Sequence, residues 1–384
     1  MKQHLKNFDF PLFAIILLLS LFGLVMVYSA SFVYASLDPE INNPSHYFNR
    51  QRIWVFAGIV IFLMMSLFSY RRLGQLIPIL IVVTLVLLVA IFIPGIGVSS
   101  KGATRWISLG PIPFLIQPSE LAKIAMIIYF AKVYTNKQDQ LHNFNRGVLP
   151  PLIILGIVFV LIVLQPDLGT ATSIVVACGI ILLFAGIRLH HLLGLGAVAA
   201  VVMYFLINSA EYRLERFMSF RNPFADPSGD GYQLIHSYIA IASGDMTGVG
   251  LANSVQKSGF LPEAHTDFIM AVIAEELGLI GVFFVIGLYV ALMFVGIKIA
   301  KYAPDRFGKI LALGITFQIV SQAIINMAAV SGLMPITGIT LPLISYGGSS
   351  MLITFILVGI LMNIAIKGNI ARRGENVIKD EIAV

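Results

Sequence analysis

Residues 262–299 read PEAHTDFIMAVIAEELGLIGVFFVIGLYVALMFVGIKI, and the step at Phe268 from a polar segment into about thirty mostly apolar residues decides the fold. A helix needs roughly 20 apolar residues to cross the hydrocarbon core of a bilayer, so this run can span one. Asp267 then stands at a membrane boundary. An ionisable side chain there is costly and reads by default as functional. The structural alternative is a helix N-terminus, because Thr266 or Asp267 can accept backbone N–H bonds and a carboxylate suits the positive end of the helix dipole. A cap can also be a base. Upstream, residues 244–261 (GDMTGVGLANSVQKSGFL) form a polar, glycine-rich lead into this boundary.

The rest of the chain repeats the pattern. Of its 384 residues 58% are hydrophobic and 11% charged, and the mean hydropathy is +0.91. Soluble domains carry about 25% charged residues. Backbone polar groups in lipid must be satisfied internally, and runs this long are not barrel strands, so the fold class is all-α: a polytopic integral membrane protein. Pro11–Ala30 is too long for the apolar core of a signal peptide, about 7–15 residues, and reads as a retained helix. Further spans follow at Trp54–Ser69, Leu76–Pro94, Leu121–Tyr134, Val148–Leu164, Leu168–Ile187, Leu192–Asn208, Phe268–Ile299, Ile310–Val330 and Met351–Ile366. That makes about ten transmembrane helices, with a large extracellular loop, 209–266, between helices 7 and 8. Cys178 is the only cysteine, which excludes an intramolecular disulfide.

Orientation follows from Lys and Arg, which concentrate on the cytoplasmic side. With the N-terminus inside, 16 of the 25 fall in cytoplasmic segments, and ten spans return the C-terminus to the cytoplasm. The net charge of +6 is thereby explained by topology, with no need of nucleic acid. The chain reads as one membrane domain, 1–384, with a short cytoplasmic tail at 367–384.

The outward segments are unequal. The loop 209–266 is far longer than ordinary connections, which marks it as functional or partly structured. Within it, Leu234, Ile235, Tyr238, Ile239 and Ala242 share a helical face, the pattern of a short helix lying on the outer surface. Arg213, Arg216 and Arg221 alternate with Glu211, Glu215, Asp226 and Asp230, which suits solvated salt pairs. A second cluster runs from Lys101 through Arg105 to Ser119, Glu120 and Lys123. Ser119 fits a helix N-cap, and Glu120 and Lys123 are spaced to share a helix face at the bilayer edge, where a lysine needs a wet cavity. Asp167 in Gln165-Pro166-Asp167 reads as a cap of the following helix. Glu275 and Glu276 project about 100° apart, so they are not expected to face one cavity. The run Ser345-Tyr-Gly-Gly-Ser-Ser350 after Pro335–Pro342 reads as a broken or re-entrant segment. Zinc-ligand spacing, a phosphate loop and a nucleophile elbow are absent from the sequence. These readings support an outward-facing polar site and leave enzyme and transporter open.

Several strings resemble, in order and spacing, the SEDS family of bacterial cell-wall proteins (shape, elongation, division and sporulation): QPSELAKIA, QPDLGTA, RNPFADPSGDGYQ, GLANSVQK, LPEAHTDFI, AEELG and TGITLPLISYGGSS. The resemblance covers nearly the whole chain. NSVQK followed by LPEAHTDF is most similar to the division-type members, with the elongation and sporulation types as alternatives. Ala252 departs from the pattern where glycine is usual, Thr104 where a second arginine often precedes Arg105, and Thr340 within TGITLP. The resemblance implies a peptidoglycan glycosyltransferase polymerising lipid II at the outer face of the cytoplasmic membrane. Its expected partners are a class B penicillin-binding protein, other divisome membrane proteins and membrane lipids. Asp267 matches the family's proposed catalytic aspartate. Arg105, Glu120, Lys123, Arg213, Arg216, Gln256, Lys257 and His265 are the implied substrate-binding residues. No cofactor is demanded; a divalent cation is an alternative to arginine or lysine as counter-charge for the leaving pyrophosphate. A lipid II flippase and a non-catalytic scaffold are the competing readings. The crowding of motifs on the outer side favours the enzyme.

Overall fold

The computed structural model describes residues 4, 6–100, 102–108 and 115–382, so Lys101 of the second cluster lies outside the described residues. The chain forms α1 (Phe10–Leu37), α2 (His46–Leu67), α3 (Tyr70–Ala90), α4 (Pro118–Asn136), α5 (Leu149–Val163), α6 (Leu168–Ala185) and α7 (Leu189–Asn208). Two shorter helices follow, α8 (Glu211–Arg221) and α9 (Tyr232–Gly244), then α10 (Ile269–Lys301), α11 (Arg306–Val330) and α12 (Gly348–Ile382). Each of the ten expected spans is a helix, and the protein is a multi-pass helical membrane protein. Among the described residues nine helices are long and apolar enough to cross a bilayer, counting α5 with the turn from Phe144. The tenth, α4, falls short because Glu120, Lys123 and Lys132 lie within its 19 residues. Glu120 and Lys123 are buried inside the bundle, which is why a charged helix is tolerated there.

The centre of the bundle is built on α11 and α12, each 78% buried over its apolar window, whereas α7 buries none. Close packing between helices comes from small residues, as expected where lipid supplies no hydrophobic drive. A Cβ on Gly58 of α2 would overlap the Phe355 ring of α12.

Four features depart from the sequence reading. First, the all-α bundle carries one addition that the sequence reading lacks: the connection between α3 and α4 forms an antiparallel three-stranded sheet, β1 (Gly97–Ser100), β2 (Ala103–Ser108) and β3 (Leu115–Ile116), with Ile107 facing Gly97 on one side and Ile116 on the other. Its β-branched and aromatic residues, Val98, Thr104, Trp106 and Ile107, favour a pleated surface. Second, the run Phe268–Ile299 is not one continuous helix: Gly278 breaks α10 with φ 62° and ψ −159°. The loop after α9 plugs the break, with Val249 and Gly250 N–H donating to the Glu275 and Glu276 carbonyls and Leu279 and Ile280 N–H donating to the Asp245 and Met246 carbonyls. Groups that would be orphaned at two helix ends are thus satisfied. Third, α9 buries Leu234, Ser237, Ala240 and Gly244 against α10 and α11, while Ile239 faces outward. The small-residue stripe, not the apolar one, sets its docking because the backbones approach closely: a Cβ on Gly244 would lie 1.8 Å from the Ala274 carbonyl oxygen. Fourth, residues 367–382 continue α12 as helix.

Candidate functional site

The polar segment before α10 is a series of turns. Thr266 and Phe268 N–H both donate to the Glu263 carbonyl, and Glu263 itself has φ 56°. The N-cap position of α10 is Phe268, which supplies no side-chain cap bond, so Asp267 stands one residue before the cap. Its side chain is half-buried between the buried residues His265 and Phe268. The Thr266 hydroxyl lies 2.7 Å from Glu263 Oε2 and 3.1 Å from Asp267 Oδ1. The Glu263 carbonyl lies at 3.1 Å from the same hydroxyl, so its single proton has three acceptors within reach.

What holds this turn in place comes from distant parts of the chain. Asn326 of α11 donates from Nδ2 to the Asp267 carbonyl at 2.7 Å and to the Ile339 carbonyl at 2.8 Å. One helical turn earlier, Gln322 donates to the Thr340 carbonyl at 3.0 Å and accepts from Lys123 Nζ at 3.0 Å. Lys123 in turn pairs with Glu120 Oε2 at 2.7 Å. The Pro335–Ser350 segment closes the other side: Tyr346 N–H donates to the His265 carbonyl, and Gln51 of α2 donates to the Ser345 carbonyl. The His265 ring sits 4.4 Å from the Tyr47 ring and 5.7 Å from those of Tyr34 and Tyr346. Four motifs separate in sequence, LPEAHTDF, QPSELAK, TGITLP and SYGGSS, therefore meet at one end of the bundle.

The remaining candidates have structural partners. Arg105 donates from Nε to the Gln165 carbonyl at 3.3 Å and from Nη2 to the Pro166 carbonyl, tying the sheet to the α5–α6 turn. Asp167 caps α6 through Thr170 N–H, as expected, and also accepts from Gln117 and Ser119. Ser119 is thus not the N-cap of α4; Gln117 holds that position, and Pro118 suits the first helical turn. Arg213 donates to the carbonyls of Leu206 and Val163, fastening α7 to α5, and Arg216 is exposed. Among the described residues no ion pair joins Arg213, Arg216 or Arg221 to Glu211, Glu215, Asp226 or Asp230; Asp226 instead accepts from Gly229 and Asp230 N–H.

Lys257 is buried, 2.6 Å from Glu276 Oε1 and 3.0 Å from the Ser29 hydroxyl of α1. Glu275 accepts from Val255 and Gln256 N–H and from the Ser254 hydroxyl. The two glutamates meet the 254–257 segment on different sides, in keeping with their angular separation, and Glu276 also accepts from the Ser29 hydroxyl of the neighbouring helix α1. Gln256 bonds His236 of α9 at 2.7 Å. Among the described residues no cluster of three His, Cys, Asp or Glu side chains is arranged to hold a metal ion.

Gln322 and Asn326 fall inside the apolar span Ile310–Val330, and the sequence reading assigns them no role. Their spacing carries a signal nonetheless: two amides four residues apart share a helix face, and polar side chains at membrane depth need partners.

The pattern of the cell cycle protein family of FtsW, RodA and SpoVE matches residues 10–369. The probable peptidoglycan glycosyltransferase FtsW of Trichlorobacter lovleyi is 43% identical over 362 residues, 94% of each chain. The stage V sporulation protein E of Bacillus subtilis is 41% identical over 360 residues, 93% of this chain and 96% of its own. A solved chain reported under the structural coordination of polymerization and crosslinking by a peptidoglycan synthase complex superposes with a TM-score of 0.76 at 29% identity, covering 93% of this chain and 97% of that one.

Proposed function

The chain belongs to the cell cycle protein family of FtsW, RodA and SpoVE, and from that premise we propose that Asp267 is the general base with which it builds glycan strands. The protein is a membrane-embedded peptidoglycan glycosyltransferase of the FtsW kind. Its substrate is a lipid-linked disaccharide-peptide, lipid II, taken at the outer membrane face. The acceptor sugar's 4-hydroxyl attacks the anomeric carbon of the donor; its proton passes to Asp267 while the bond to the lipid pyrophosphate breaks and the pyrophosphate leaves with the electron pair. An aspartate with a reference pKa of about 3.9 is ionised at neutral pH and suited to accept that proton.

The observation that carries this reading is the setting of Asp267: a half-buried carboxylate outside the helix it precedes, with its main chain held by α11. Lys123 is the buried cation nearest in the hydrogen-bond network, through Gln322 and Asn326, and it supplies counter-charge for the departing pyrophosphate, with Glu120 setting its direction. Arg105, Arg213 and Lys257 act by holding backbone and the catalytic loop. His265 and Gln256 shape that loop, and Arg216, being exposed, meets the substrate's anionic headgroup.

A penicillin-binding protein with a single transmembrane helix is the proposed crosslinking partner, supported by the likeness to a synthase-complex chain. Its docking surface is the apolar groove of about 370 Å³ between α9, α10 and α11, lined by Ile241, Met270, Val282, Ile286, Ile324 and Met327.

The test is Asp267→Asn in the purified protein with lipid II. Loss of proton acceptance should lower polymerisation about 10²- to 10⁴-fold with folding preserved. A cap would survive the change, since Asn and Asp cap about equally; near wild-type polymerisation would therefore remove the base assignment.

A further inference from the structure

Asn326 carries a second role for this site, one that rests on Asp267 being the base. It is 2% exposed, on a central helix, and its amide nitrogen is shared between two backbone carbonyls from different parts of the chain, Asp267 and Ile339. Facing two carbonyls fixes the amide's orientation, because turning it over would point an oxygen at two oxygens. Its Oδ1 is buried without a hydrogen-bond partner among the described residues, so the side chain is retained for its two donors. Aspartate of the same size lacks them, serine has one, and glutamine is a methylene too long.

The neighbouring turn of α11 repeats the device. Gln322 donates to the Thr340 carbonyl and accepts from Lys123, so the Ile339–Thr340 backbone is pinned twice to one face of one helix. Four residues on a helix advance about 6 Å. The base and the Glu120–Lys123 pair are therefore registered on a single rigid element, although Asp267 itself belongs to a segment of turns. We infer that Asn326 is a positioning residue for Asp267, holding the base at a fixed height relative to the buried lysine.

The experiment compares Asn326→Ala and Asn326→Ser in the full-length purified protein, assayed for glycan synthesis from lipid II and for thermal unfolding. Misplacement of a catalytic group by about 1 Å can cost 10²-fold, so kcat per folded molecule should fall about 10- to 10²-fold for Asn326→Ala, with KM little changed. Asn326→Ser, which keeps one donor, should fall between it and wild type and also covers the case in which the alanine variant does not fold. Combined with Asp267→Asn, Asn326→Ala should cause no further loss, because it acts only through the base. An equal loss in both backgrounds, or a wild-type kcat for the folded Asn326 variants, overturns the inference. A wild-type rate for Asp267→Asn alone removes the base and this inference with it. A low rate for Asp267→Asn beside a wild-type rate for Asn326→Ala removes only this inference.

Discussion

Ala252 has φ 68°, the left-handed region, between Gly250 at 99° and Asn253. Glycine suits such a backbone better, because a Cβ in this region crowds the following carbonyl and costs roughly 1–2 kcal/mol. Ala252→Gly should raise stability by about 1 kcal/mol after the extra unfolded-state entropy of glycine is deducted, read as a higher melting temperature with unchanged polymerisation. A lower melting temperature would mean that the Ala252 methyl makes contacts outweighing the strain. Lys257 teaches the opposite lesson. By residue type it is one of the cations suited to pyrophosphate; in the fold it is the counter-charge of Glu276. Removing one member of such a buried pair costs about 3–5 kcal/mol, because a charge is left uncompensated.

Among the elements, α10 is the one whose interruption matters most. Its first part, from Ile269 to the break at Gly278, is clasped by α9 and by the 245–250 loop, and only the second part is long enough to cross a membrane. A short helix thus separates the turn that bears Asp267 from the membrane-length second part. Gly278 is indispensable to the arrangement: a Cβ would lie 2.4 Å from Gly248 N and 2.6 Å from the Met246 carbonyl oxygen. Conformations of this kind cost of order 1–3 kcal/mol for other residues before any clash is added. Gly278→Ala should therefore lose at least that much stability in a thermal melt and depress polymerisation with it. A variant that melts and polymerises like wild type would show that the loop can withdraw from the break without consequence.

At the scale of the whole molecule, the Lys and Arg asymmetry predicts both termini in the cytoplasm and the Asp267 end outside. Reporter fusions after Ser36 and after Gly229 should read outside and one after Tyr302 inside; a cytoplasmic reading at Gly229 would invert the site with respect to the membrane. The partner surface is argued at this scale too. Ile324 and Phe283 stand exposed on α11 and α10, at and beside the groove. Co-purification with the partner should be lost when the partner's transmembrane helix is deleted, and complex formation that survives that deletion would place the contact elsewhere.

Local chemistry was sufficient for the spans, because apolar length depends only on the residues in each run. Ten helices, the cap at Asp167 and the polar stretch that precedes α10 are legible that way. Even α4 is legible despite its charges, since Leu121–Tyr134 remains apolar around Lys123. Other features depend on which segments approach one another. A glutamate pair two turns into a helix cannot announce that the residues 20 positions earlier wrap it, and an apolar run cannot announce that Gly278 is held open by foreign carbonyls. The same holds for Asn326: its identity is local, but its use requires two carbonyls from separate segments, one 59 residues before it and one 13 after. Burial decides the rest, because a charged or polar group in a low-dielectric interior must find its partner there, and only the packed tertiary structure determines which one it is.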